Sequence, residues 1–160
     1  MVCDEVLIQQ TVNLYALVVD SRRWDLFEQV FVENVRADYG SQGCWSDRAA
    51  FVADFARLHA PYDHTQHLVA GHVVRLEGDG AAAFSRVSWR LAVRTEDGYA
   101  GREGNAWYDD VLRRTVDGWR ITERRCRITW SQPIAPGGGG DVAAPRLAQL
   151  HAAELRWPRS

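Results

Sequence analysis

The stretch HTQHLVAGHVVRLEGDGAAAFSRVSWRLAVR (His64–Arg94) decides the fold. Two strand-length runs, His64–Leu76 and Ala81–Arg94, flank Gly78-Asp79-Gly80, residues that supply the backbone angles of a tight hairpin turn. In the second run Val87, Trp89, Leu91 and Val93 share one face by alternation, while Arg86, Arg90 and Arg94 share the other. One face is therefore apolar, and the arginine face is solvated or lies at a subunit contact. Downstream, Glu96-Asp97-Gly98 is a second turn, Asn105–Arg114 another strand, Asp117-Gly118 a third turn and Trp119–Trp130 the last strand. Within Asn105–Arg114, Tyr108, Asp110 and Leu112 share a face, so Asp110 is expected to be partly desolvated and its pKa raised.

Upstream, the period changes. Ile8, Val12, Tyr15 and Val19 recur every three to four residues and predict a helix over Val6–Val19. Asp20-Ser21 breaks it. Trp24–Phe31 reads as a second short helix, Val35–Tyr39 as a short strand and Gly40–Gly43 as a turn. Ser46 is placed to cap a third helix, Asp47–Leu58, with Phe51, Phe55 and Leu58 buried. Three helices before a meander of long antiparallel strands is an α+β layout, predicted as one domain over residues 1–131. Residues 132–160 hold a linker, Pro136 and Gly137–Gly140, and a short helical pattern, Val142–Arg156. A frayed tail is the favoured reading there, a lid or an arm onto a partner subunit the alternative.

Composition narrows the chemistry. All 19 basic residues of the 160 are arginine, so no Schiff-base lysine or phosphate-loop lysine exists. Guanidinium is not a base near neutral pH, which leaves His, Asp, Glu, Tyr or Cys for that work. A net charge of −2 gives no basic field for nucleic acid. No run approaches the length of a membrane span. Acidic residues near Met1, and three scattered cysteines (Cys3, Cys44, Cys126) without a CxxC, predict no signal peptide and a reducing cytoplasm.

Three stretches, LYALVVDSRRWDLFEQVFVENVRADYG (Leu14–Gly40), HTQHLVAG (His64–Gly71) and AWYDDVLRRTVDGWRITERR (Ala106–Arg125), together resemble the SnoaL-like branch of the nuclear-transport-factor-2-like superfamily. That branch includes scytalone dehydratases, hexachlorocyclohexane dehydrochlorinases and polyketide cyclases. The resemblance implies a cone-shaped α+β barrel, with three N-terminal helices packed on a curved, mostly antiparallel sheet. It places the lyases' Asp–His pair on Asp20 and His67. In such a pair the imidazole takes a proton while the carboxylate orients it and stabilises the imidazolium. The dehydratases' second strand histidine is missing from Ser85–Thr95, and Val19 stands where they carry a tyrosine; Tyr15, one turn away, offers a hydroxyl instead. The dehydrochlorinases' pocket arginine maps near Arg113 and Arg114, and their lysine is missing near Tyr15. A separate resemblance, to ketosteroid isomerases, makes Asp110 a neutral acid that donates to an oxyanion, with Asp109 as rival if a bulge shifts the register.

Other readings stand beside these. Asp20 could simply cap the second helix, and Asp110 could pair with Arg125 or Arg127. Trp24, Tyr39, Trp45, Trp89, Trp107 and Tyr108 could line a pocket or fill the core. Alternation puts His64 and His67, and also His67 and His72, on opposite faces, so no metal site is expected. Cys126 reads as a buried small hydrophobe, and Arg124, Arg125 and Arg127 as an ion-paired surface. The functional expectation is a cofactor-independent lyase or isomerase/cyclase for a small hydrophobic carbonyl or polyketide-like metabolite. Asp20, His67, Tyr15 and Asp110 are its reacting groups, and Trp24, Tyr39, Trp89, Tyr108 and Arg113 its substrate contacts. The alternatives are a non-catalytic binding or assembly module, or an epoxide hydrolase using an Asp–Arg–Asp set. The family implies a homo-oligomer, dimer or trimer; charge and hydropathy predict no nucleic-acid or membrane partner.

Overall fold

A computed structural model describes residues 2–135; the linker and the Val142–Arg156 pattern lie outside the described residues. Helix α1 (Asp4–Ser21) buries Ile8, Val12, Tyr15 and Val19, the stripe its period demands. Its start is pinned by Asp4, which accepts from Arg114 (2.8 and 2.5 Å) and from the Trp119 indole (3.1 Å). The Trp24–Phe31 pattern forms only a 3₁₀ turn, Trp24–Gln29, after which Phe31 already begins strand β1 (Phe31–Asp38). Phe31 and Val32 are β-favouring residues and pair into the sheet, so tertiary pairing overrides the short apolar run. A 3₁₀ turn (Gly40–Gln42) leads to the two-residue strand β2 (Cys44–Trp45). Helix α2 (Arg48–His59) is capped by Asp47, whose carboxylate accepts from the Ala50 amide at 2.8 Å, one residue later than Ser46. Two α-helices and two 3₁₀ turns, interleaved with β1 and β2, thus replace three successive helices.

Four long strands follow, β3 (His64–Glu77), β4 (Gly80–Thr95), β5 (Gly98–Thr115) and β6 (Gly118–Ile134). The sheet order is β2-β1-β6-β5-β4-β3, antiparallel except where β1 runs parallel to β6. Helix α1 packs on both β3 and β6, three strands apart, or about 14 Å in a flat sheet, so the sheet curls around it. The concave face carries Ala81, Ala83, Ser85, Val87 and Trp89 of β4 and Ala106, Tyr108, Asp110 and Leu112 of β5. Arg86, Arg90 and Arg94 are exposed on the convex face, as alternation requires.

Bulges break that alternation, and two of them turn polar side chains inward. At Gly71 (φ 64°) β3 gains a residue between Ala70 and Val73, and His72 turns inward to meet the Ser85 hydroxyl at 2.8 Å. His72 therefore shares the inner face with His67, contrary to simple alternation. In β6 the pairing slips between Ile121 and Glu123, so Trp119 and Ile121 face inward and so does Arg124. Arg124 is fully buried, while Arg125 and Arg127 stay outside.

Candidate active site

The open end of the cone holds a cavity of about 350 Å³. Its walls come from every layer: Tyr15 of α1, Tyr39 at the end of β1, Phe55, Leu58 and His59 of α2, Tyr62, and His67, Trp89, Tyr108 and Ile128 of the sheet. Gly104 on the neighbouring strand leaves room for the Trp89 ring: a Cβ there would collide with the Trp130 carbonyl oxygen and meet the Trp89 ring at 2.9 Å.

Asp20 sits in the last turn of α1, where helix carbonyls disfavour a negative charge and no basic residue of that turn offsets it. Its carboxylate is used entirely on His67. One oxygen accepts from the His67 backbone N–H at 2.7 Å and the other meets Nδ1 at 2.7 Å. A carboxylate oxygen can only accept, so Nδ1 carries a proton, and in the neutral form of the ring the lone pair lies on Nε2. The ring lines the cavity, and Nε2 has no hydrogen bond to the described residues.

A second imidazole faces the same space. His59 lies 5.9 Å from His67, ring centre to ring centre, and donates Nδ1–H to the Phe55 carbonyl at 2.8 Å. Burial lowers its pKa from 6.5 to about 4, only partly opposed by the Phe55 carbonyl, so it is neutral at physiological pH with Nε2 as an acceptor. Sequence reading missed His59. The signal was its place four residues after Phe55 and eight after Phe51 on the apolar stripe of α2; the buried face assigned to Leu58 belongs to His59, and Leu58 is half exposed at the cavity mouth.

The hydroxyl groups form the donor side. Tyr39 donates to the Tyr15 hydroxyl at 3.1 Å and Tyr15 interacts in turn with the Tyr108 hydroxyl, so the three phenols form one hydrogen-bonded chain on the cavity wall. Burial raises the pKa of Tyr15, Tyr39 and Tyr108, so all three stay protonated. Behind them Arg124 stacks 4.0 Å from the Tyr108 ring centre and 4.4 Å from that of Tyr15.

Asp110 takes a different place from the one expected. Both its oxygens are bound by Arg124, at 2.7 Å to Nε and 2.6 Å to Nη2, and both side chains are sealed from solvent. Burial does push its carboxyl upward, with Arg124 opposing, but it lines no part of the cavity and has no proton-donating geometry toward it. Two substrate contacts are also displaced. Trp24 packs behind His59 (6.1 Å) and Phe27 and does not reach the cavity. Arg113 lies along an open groove beside Arg120 on the far side of the domain. Trp45 stacks on Phe51 against the core, Trp107 meets Phe84 edge-on at the outer face, and buried Cys126, raised to about 12 by burial, is inert as a nucleophile. Among the described residues no arginine or carboxylate lines the cavity, which leaves no Asp–Arg–Asp set for epoxide opening.

Residues 1–125 match the SnoaL-like domain family. This chain belongs to that family. A relative of the SnoaL-like chain, the uncharacterized protein Rv2910c of Mycobacterium tuberculosis, is 30% identical over 125 residues, 77% of this chain and 84% of the relative. The Kfla4162 protein of Kribbella flavida superposes with a TM-score of 0.74 at 22% identity, over 81% of this chain and 93% of that one. A type 2 hexachlorocyclohexane dehydrochlorinase (LinA) superposes with a TM-score of 0.73 at 17% identity, over 88% and 93% of the two chains. At those identities the structural likeness is one of fold.

Proposed function

We propose that this SnoaL-like domain is a cofactor-independent acid–base enzyme, a lyase or isomerase/cyclase for a small hydrophobic carbonyl compound such as a polyketide-like metabolite. The observation that carries this reading is the Asp20 carboxylate gripping both the Nδ1 and the backbone N–H of His67 at 2.7 Å, with the ring on the wall of an aromatic cavity. His67 Nε2 would take a proton from the carbon beside the carbonyl. The C–H electron pair moves into an enolate, whose oxygen accepts from Tyr15 O–H, itself backed by Tyr39. From that enolate a β-substituent leaves with its electron pair, giving a lyase, or His67 returns the proton to another carbon, giving an isomerase. Asp20 stabilises the imidazolium in between. The structural neighbour named for dehydrochlorination is an elimination enzyme of the same fold.

A cavity of this volume equals about a dozen waters, which suits a ligand of one or two rings. The convex face, with Trp107 and Trp130 half exposed among arginines, would serve a dimer or trimer contact. The test is α-proton exchange into deuterated water, followed by NMR across a panel of cyclic ketones with and without a β-leaving group. Wild-type protein exchanges or eliminates; His67→Ala does not. Asp20→Asn turns an amide N–H toward Nδ1, forces the other tautomer and lowers the rate by roughly four orders of magnitude. Equal turnover by wild type and His67→Ala would overturn the acid–base reading in favour of a binding module.

A further inference from the structure

Two residues at the end of α1 hold the two histidines of the cavity. Asp20 grips His67, and two positions on, Arg22 reaches across to the end of α2. Its Nη2 donates to the His59 carbonyl at 2.9 Å and the Tyr62 carbonyl at 3.4 Å, 37 and 40 residues away in sequence. The His59 carbonyl is an unsatisfied group of the α2 C-terminus and also accepts the Tyr62 amide at 3.1 Å, so Arg22 completes a clip over the α2–β3 turn. Both clipped residues, His59 and Tyr62, line the cavity.

Arg22 holds this position against its backbone preference. It caps α1 with φ 59° and ψ 22°, its amide pointing at the Val18 and Val19 carbonyls, while the Arg23 amide closes on Val18 at 3.0 Å. That is the helix-ending position where glycine is the common solution, because a Cβ strains the left-handed conformation. Among the described residues Arg22 is the one non-glycine with positive φ. The guanidinium is also poorly served, since its Nη1 is buried with no hydrogen-bond partner. Strain in the backbone and an orphaned donor in the side chain make Arg22 a poor choice for stability alone.

We propose that Arg22 is a positioning residue, retained against local strain because it fixes the α2 end and so sets His59 and Tyr62 on the cavity wall beside the Asp20-held His67. This rests on the cavity being the functional site, but its test does not need a substrate. The groups facing His59 are Asp20 and Arg22 from α1, His67 from β3 and the Trp24 ring.

Histidine titration by nitrogen-15 NMR and amide exchange over residues 56–62 would be measured on the full chain carrying Arg22→Gly, with Arg22→Asn as a second variant. Both accept the left-handed angles and neither spans to α2. The expected result is a His59 midpoint raised from about 4 toward 6.5 as water enters, together with exchange over 56–62 accelerated about tenfold relative to β5 and β6. The Nδ1 signal of His67 should keep its carboxylate-bonded position, since Asp20 is untouched. A shifted His59 midpoint with unchanged exchange would reduce Arg22 to a nearby charge and overturn the proposal. So would a folded variant in which neither quantity moves, or one in which protection falls uniformly across the sheet.

Discussion

His59 gives a stability prediction that can be worked from the structure. The imidazole is buried between Phe55, Trp24 and His67, and its only proton is committed to the Phe55 carbonyl. Its pKa is 6.5 in an open chain and about 4 when folded. As pH falls through 6.5 the unfolded chain gains a proton that the folded chain refuses until about 4, so the unfolded state is favoured across that window. Stability from this residue is therefore complete above the upper value and is lost as pH drops toward the lower one, by about 3 kcal/mol in total. Carboxylates titrate in part of the same range, so the measurement must be a difference. Urea unfolding of wild type and His59→Phe, taken at about pH 7 and about pH 4, isolates the histidine; Phe keeps the ring volume and cannot titrate. Wild type should lose about 3 kcal/mol more than the variant between the two conditions. Parallel losses in the two proteins would refute the claim that burial holds this imidazole neutral.

The sealed pair predicts an asymmetric pattern of substitutions. Asp110→Ala strands the Arg124 charge among Tyr15, Tyr108 and Phe31, and should cost about 3–5 kcal/mol, near 10 °C in melting temperature for a chain of this size. The double change Asp110→Leu with Arg124→Met removes both charges and should recover most of that loss in a thermal melt; if it melts as low as the single variant, the pair is not acting as a unit. Thiol chemistry offers a simpler check on burial, since Cys3 and Cys44 are exposed and Cys126 is buried. An aromatic disulfide reagent should label two thiols in native protein and three in denaturant.

The α+β class and the four long strands were legible because each leaves a local trace, whereas Asp20 and His67 came from the resemblance to the SnoaL-like branch. Turn residues bound the strands, alternation sorts Trp89 from Arg90, and a helix period places Tyr15 and Val19 on one stripe. What escaped was whatever depended on a break in period. The bulge between Ile121 and Glu123 turns Arg124 inward, so a basic run that reads as solvated surface contains the buried partner of Asp110. Gly71 does the same for His72. Neither bulge can be located from the residues alone, because one extra residue leaves composition unchanged while reversing every face beyond it. His59 escaped for another reason. A histidine after Phe51 and Phe55 continues an apolar stripe as an aromatic ring, and only the curl of the sheet toward α2 shows that the stripe ends in a cavity.

The placement of charge shows how a neutral wall can do polar work. No charged side chain of the described residues lines the cavity, which keeps it suited to an apolar ligand. Yet two of its polar groups have a charge directly behind them, and in each case the sign favours the group's role. Asp20 lies behind His67, so a proton gained at Nε2 is stabilised by a carboxylate 2.7 Å from the other ring nitrogen. Arg124 lies over the Tyr15 and Tyr108 rings, so negative charge drawn toward the Tyr15 hydroxyl meets a positive field. Asp110 weakens that field but also makes it affordable, since an unpaired guanidinium could not be buried there. Base and donor are thus polarised in opposite senses from outside the cavity. In the proposed mechanism, a proton moved from ligand carbon to His67, with charge left on an oxygen at Tyr15, would run down both fields at once. Under the proposed acid–base reading, these two fields favour the charges that develop in an enolate-forming step.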